Sequence, residues 1–80
     1  MKLNIVKIKW IDAQRIDVGI DTIENIIESM KPVTCEIVGF VIGEDSRFIF
    51  LAQEYWKSEG MVKYINTIPK SLILETKKLT

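Results

Sequence analysis

The chain contains no histidine, one cysteine, two prolines and four glycines in 80 residues. Without histidine it lacks the side chain that most often serves as a neutral-pH acid–base group or metal ligand. Cys35 stands alone, which excludes an intrachain disulfide and a cysteine-cluster zinc site and suits a reducing compartment. The glycines are scattered, so no phosphate-cradling loop exists, and Ser46, Ser58 and Ser71 have no histidine to activate them. Neither an enzyme nor a bound cofactor is expected. Charge of one sign is not in excess either, with 11 basic and 11 acidic residues; this removes the bulk attraction that marks most nucleic-acid proteins. No apolar run approaches the ~18 residues of a membrane helix. Lys7 and Lys9 break the N-terminal apolar stretch before it reaches the length of a signal-peptide core, so a cytoplasmic location is expected.

What is abundant is β-branched hydrocarbon. Ile (14) and Val (6) make up a quarter of the chain, against five Leu and two Ala, a balance that suits pleated sheet better than helix. A chain of 9.2 kDa builds one domain over residues 1–80, with one small core and about 4,900 Å² of accessible surface when compact.

Five strands and one helix are expected. From Asn4 to Ile11, Val6, Ile8 and Trp10 alternate with Lys7 and Lys9, the period of a half-buried strand. Asp12 to Ile20 loses that period and reads as loop. Asp21 and Glu24 frame a helix start, and Ile23, Ile26, Ile27 and Met30 form one apolar stripe before Pro32 ends the element, giving a helix over about 22–30. So short a helix is expected to lay its stripe over the sheet or one end of a barrel. Cys35–Ile42 and Arg47–Gln53 flank the turn chemistry of Gly43-Glu44-Asp45-Ser46 and predict a hairpin. Within it, Phe48 to Ala52 is apolar on both faces and reads as the core strand. Glu54 to Gly60 reads as a connection. Met61 to Thr67 is the fourth strand, Pro69 interrupts the pattern, and Leu72 to Thr76 resumes it.

Five short strands, a central hairpin and the Pro-containing turn Ile68-Pro69-Lys70-Ser71 before the last strand resemble the SH3-like small barrels, which carry a single 3₁₀ turn at that place. The resemblance implies a mainly β, five-stranded small barrel with the helix between strands 1 and 2. More specifically, Trp10-Ile11-Asp12, Val38-Gly39-Phe40, Leu51-Ala52-Gln53, Ile68-Pro69-Lys70 and a terminal Leu79 resemble a family of small uncharacterised proteins of bacteria and tailed phages. That family more often has Trp where Phe40 stands. The likeness implies a phage or prophage setting and a compact fold, and brings no chemistry with it.

Three sets of residues are candidates for function. Tyr55, Trp56 and Tyr64, with Trp10, offer aromatic contact area for a protein partner or a second copy of the chain; the alternative for Trp10 is core packing. Lys7, Lys9, Lys63, Lys70, Lys77 and Lys78, with Lys2, join into a basic face for nucleic acid, a nucleotide or another anionic ligand if the first and last strands lie side by side. The alternative there is edge protection against aggregation. The two ends of the sequence together carry +6 and the middle −6, a separation that also suits contacts between copies. Finally, Asp12 and Asp17, with Glu44 and Asp45, are the carboxylates in loop-like positions that a metal-dependent enzyme would need, although their spacing matches no motif and turn-building is the favoured explanation. The leading expectation is a non-enzymatic interaction protein with no metal, no cofactor and no membrane partner.

Overall fold

The computed structural model describes residues 2–13 and 19–80. It holds five antiparallel strands in one sheet and one short helix: β1 (Ile5–Asp12), α1 (Ile23–Ser29), β2 (Val33–Glu44), β3 (Phe48–Trp56), β4 (Met61–Pro69) and β5 (Ile73–Lys78), with a 3₁₀ turn at Lys70–Leu72. The spatial order is β4-β3-β2-β1-β5. The fold is mainly β, as the Ile and Val content predicts, and the first and last strands are neighbours.

β2 is the strand that organises the sheet. Its first part pairs with β1 from Asp12↔Val33 to Ile5↔Phe40. Its second part pairs with β3 from Phe40↔Ala52 to Glu44↔Ile49, with a bulge between Val41 and Gly43. Phe40 is therefore the hand-over point, paired on one edge with Ile5 and on the other with Ala52. Gly39 beside it is buried, and a Cβ there would lie 3.0 Å from the Ala52 carbonyl oxygen, 3.0 Å from Gln53 Nε2 and 3.2 Å from Leu51 Cβ. The missing side chain is what lets β3 approach so closely.

The core lies where both parts of β2 are partnered. Val6 and Ile8 from β1, Ile49 and Leu51 from β3, and Ile68 from β4 form one buried cluster, with Trp10, Ile37, Val41 and Ile73 packed against it. Trp10 thus belongs to the core margin. Ala52 is also buried, so Phe48–Ala52 supplies three of the six buried apolar residues and is the core strand its composition predicts. The turn before it is tied by Asp45, whose carboxylate accepts the backbone N–H groups of Arg47 at 2.8 Å and Phe48 at 2.7 Å. These two donors hold the Asp45 carboxyl below its ordinary range, the Arg47 bond contributing most.

Three expectations are corrected. First, the sheet does not close into a barrel: β4 and β5 each pair on one side only, as the two edges. The reason is that β2 keeps β3 company only as far as Ala52. Beyond it, Glu54, Tyr55 and Trp56 pair with β4 alone. Second, those three residues are strand and not connection, because Lys63, Val62 and Met61 stand opposite them. Third, α1 does not lay its stripe over the core. It has no buried residue, and Ile23 and Ile27 of its apolar stripe are 76% and 66% exposed. Its cap is Thr22, whose Oγ1 accepts the Asn25 N–H at 3.2 Å; Asp21 braces the cap by accepting from the Thr22 N–H and Asn25 Nδ2. Those two donors, Asn25 first, hold the Asp21 carboxyl below its ordinary range.

Candidate interaction surface

Past Ala52 the chain forms a two-stranded ribbon. Glu54↔Lys63, Tyr55↔Val62 and Trp56↔Met61 are cross-strand partners, and the reversal is closed by Glu59 N–H donating to the Trp56 carbonyl at 3.2 Å. Gly60 sits in the left-handed region at φ 65°, which the turn requires and glycine supplies without strain. Every β4 residue from Met61 to Thr67 is exposed. An isolated two-stranded hairpin is only marginally stable in water, so apolar content here is conspicuous: Trp56 is 45%, Tyr64 57% and Met61 60% exposed, with Ile65 and Val62 also at the surface.

The ribbon's two sides differ. Tyr55 is half-buried and packs edge-on against Phe40, with ring centroids 5.5 Å apart. Together with its partner Val62, and with Leu3, Ile42 and Gly60, it lines an open, mainly apolar cavity of about 230 Å³. Trp56 and Met61, the next cross-strand pair, are not among the residues that line it. Tyr64 is the one described non-glycine residue with positive φ, at 60°. For a bulky side chain this is an outlier that costs of order 1 kcal/mol or more. Its ring is exposed and carries the Lys63 ammonium 4.7 Å from its centroid.

The structure therefore brings Tyr55, Trp56 and Tyr64 onto one ribbon. Met61, Val62 and Ile65 complete the apolar surface and were not singled out by sequence. Their signal is a nominal strand with hydrocarbon at both parities and a single charge, which a strand half-buried in a sheet does not need.

The lysines are divided among several places. Lys7 stands opposite Lys77, and Lys78 opposite Val6, on the β1–β5 pair. Lys9 lies between Glu36 on β2 and Glu75 on β5. Lys63 is at the far side of the sheet on β4, opposite Glu54. Lys70 Nζ is 3.0 Å from Glu44 Oε1. A second cavity of about 340 Å³ beside it, lined by Arg47, Phe48, Lys70, Ser46 and Ser71 among others, has Arg47 over the Phe48 ring at 5.3 Å. Glu44 and Asp45 offset its two cations, so it is not an anion trap.

The carboxylates are engaged locally. Asp12 accepts the Ala13 N–H at 2.8 Å and lies 3.8 Å from the Cys35 thiol, Glu44 meets Lys70, and Asp45 ties its turn. Asp17 falls outside the described residues. Among the described residues no three His, Cys, Asp or Glu side chains group as metal ligands, and no helix is long and apolar enough to cross a membrane. No family model, curated protein or solved structure matches the chain.

Proposed function

We propose that the chain is a small non-enzymatic interaction protein that binds a protein partner through the β3–β4 ribbon. The observation that carries this is the set of exposed apolar side chains, Trp56, Met61, Val62 and Tyr64, on a two-stranded element that β2 does not flank. Exposed aromatic and Met side chains rimmed by charge are what protein interfaces are made of. Tyr64, held in a strained conformation with its ring outward, is the anchor. The strand order and the 3₁₀ turn before β5 support an SH3-like reading of the architecture, with the ribbon left open where a barrel would close. A phage or prophage origin and a cytoplasmic setting rest on the resemblance and on composition.

A photo-reactive residue in place of Met61 tests the reading. Cross-linking to a protein chain, its own or another, that is lost on adding Trp56→Ala and Tyr64→Ala is the expected result. No protein adduct in either the pure protein or an extract of its native cells overturns it.

A second reading is favoured by one observation. Lys7 and Lys77 are directly opposed across β1 and β5, a like-charge placement that costs stability and that an anionic ligand such as nucleic acid would relieve. That binding must weaken steeply between low and moderate salt; salt-independent retention removes the reading.

A further inference from the structure

We infer that the ribbon's partner is a second copy of this chain, docked ribbon against ribbon about a two-fold axis. The inference rests on the reading of the ribbon as an interaction surface and adds the identity of the occupant.

Area is the first argument. The chain exposes 6330 Å², about 1,400 Å² more than a compact monomer of its mass. A standard dimer interface removes roughly 800 Å² from each partner. The ribbon and α1 both contribute to that surplus; pairing two ribbons removes part of it, from the two-stranded element least able to stand alone in water.

Charge is the second. The ribbon from Glu54 to Lys63 carries two acids, Glu54 and Glu59, and two bases, Lys57 and Lys63, and Glu54 stands opposite Lys63 within each copy. A two-fold axis makes the contact isologous, so the surface must complement itself. Two neutral surfaces of this pattern can place acid against base, whereas a uniformly charged ribbon would repel its copy. The other end of the sheet lacks this property. β5 puts Glu75, Lys77 and Lys78 into six edge residues, a density of charge that discourages edge association.

Sedimentation equilibrium on the full chain tests this, together with Trp56 emission followed against concentration. The expected results are twice the 9.2 kDa chain mass at about 100 μM and, in Trp10→Phe, which leaves Trp56 as the one tryptophan, an emission that shifts to the blue as concentration rises. Met61→Lys should weaken the dimer by more than about tenfold, while Ile27→Lys on α1 should leave it unchanged. A monomer at about 100 μM, a concentration-independent emission, or a dimer disrupted by Ile27→Lys and untouched by Met61→Lys each overturns the inference. Sedimentation uses the unaltered chain, so the test stands even if Met61→Lys fails to fold. A monomer whose Met61 position still cross-links to a different protein would end this inference and leave the proposed function intact.

Discussion

The two halves of β3 differ in composition and in fate: Phe48–Ala52 is apolar throughout, whereas Gln53 and Glu54 precede Tyr55 and Trp56 in the second half. Phe48–Ala52 is flanked by β2 on one side and β4 on the other, and its Ile49, Leu51 and Ala52 are buried. Gln53–Trp56 follows without a break, keeps the same register with β4, and ends at an exposed Trp56. The company of β2 ends at the same place. Hydrophobicity sets what a strand can bury, and the length of its neighbours sets what it does bury. Here β2 hands over at Phe40 and the rest of β3 is left as surface.

Substitutions in the two halves should therefore differ most of all. Leu51→Ala removes a fully buried side chain and should cost about 2–5 kcal/mol. A core of this size supplies little more than that in total, so the variant is expected to be largely unfolded by circular dichroism. Trp56→Ala should change monomer stability by no more than about 0.5 kcal/mol while abolishing association. Equal losses from the two substitutions would break the comparison.

The hand-over point should respond next. Gly39→Ala pushes a methyl against the β3 backbone at Ala52, and a destabilisation of about 1–3 kcal/mol in urea unfolding is expected. A neutral result would show that β3 is not pinned there.

The turn that feeds β3 should show smaller effects. Lys70→Ala removes a partly exposed ion pair with Glu44 and should cost about 0.2–1 kcal/mol, less in high salt. Asp45 gives a pH dependence of definite sign. Its folded-state value is depressed, so its contribution is fully present above the ordinary carboxylate range and is lost as pH falls through the depressed value. Melting temperature should drop on acidification below about pH 4, and Asp45→Asn should flatten that slope. An unchanged slope would assign the acid sensitivity to other groups, Asp21 among them.

Much of the sheet was legible in the sequence because it is local. Alternation marks Val6, Ile8 and Trp10, turn chemistry marks the β2–β3 reversal, although Gly43 and Glu44 still pair as strand with Phe50 and Ile49, and Pro69 marks the turn before β5. The end of β3 was not legible, since Glu54, Tyr55 and Trp56 become strand only when Lys63, Val62 and Met61 meet them. The helix shows the same limit. Its stripe and its start were plain, but amphipathicity states what a face prefers and not whether a neighbour exists, and Ile23 and Ile27 are exposed. Of the candidate site, the aromatic residues were readable singly. Their gathering on one ribbon depended on long-range register, as did the division of the lysines among β1, β4, β5 and the 3₁₀ turn.

Residue-resolved amide hydrogen exchange at low and high protein concentration distinguishes a ribbon that is free in the monomer from one folded onto its own body. Amides of Ile8, Ile49 and Leu51 should be slow in both samples, and those of Trp56 to Ile65 should exchange fast when dilute and become protected when concentrated. Ribbon amides as slow as the core at every dilution would contradict the account, since the ribbon would then be folded onto its own body and would offer no surface to a partner.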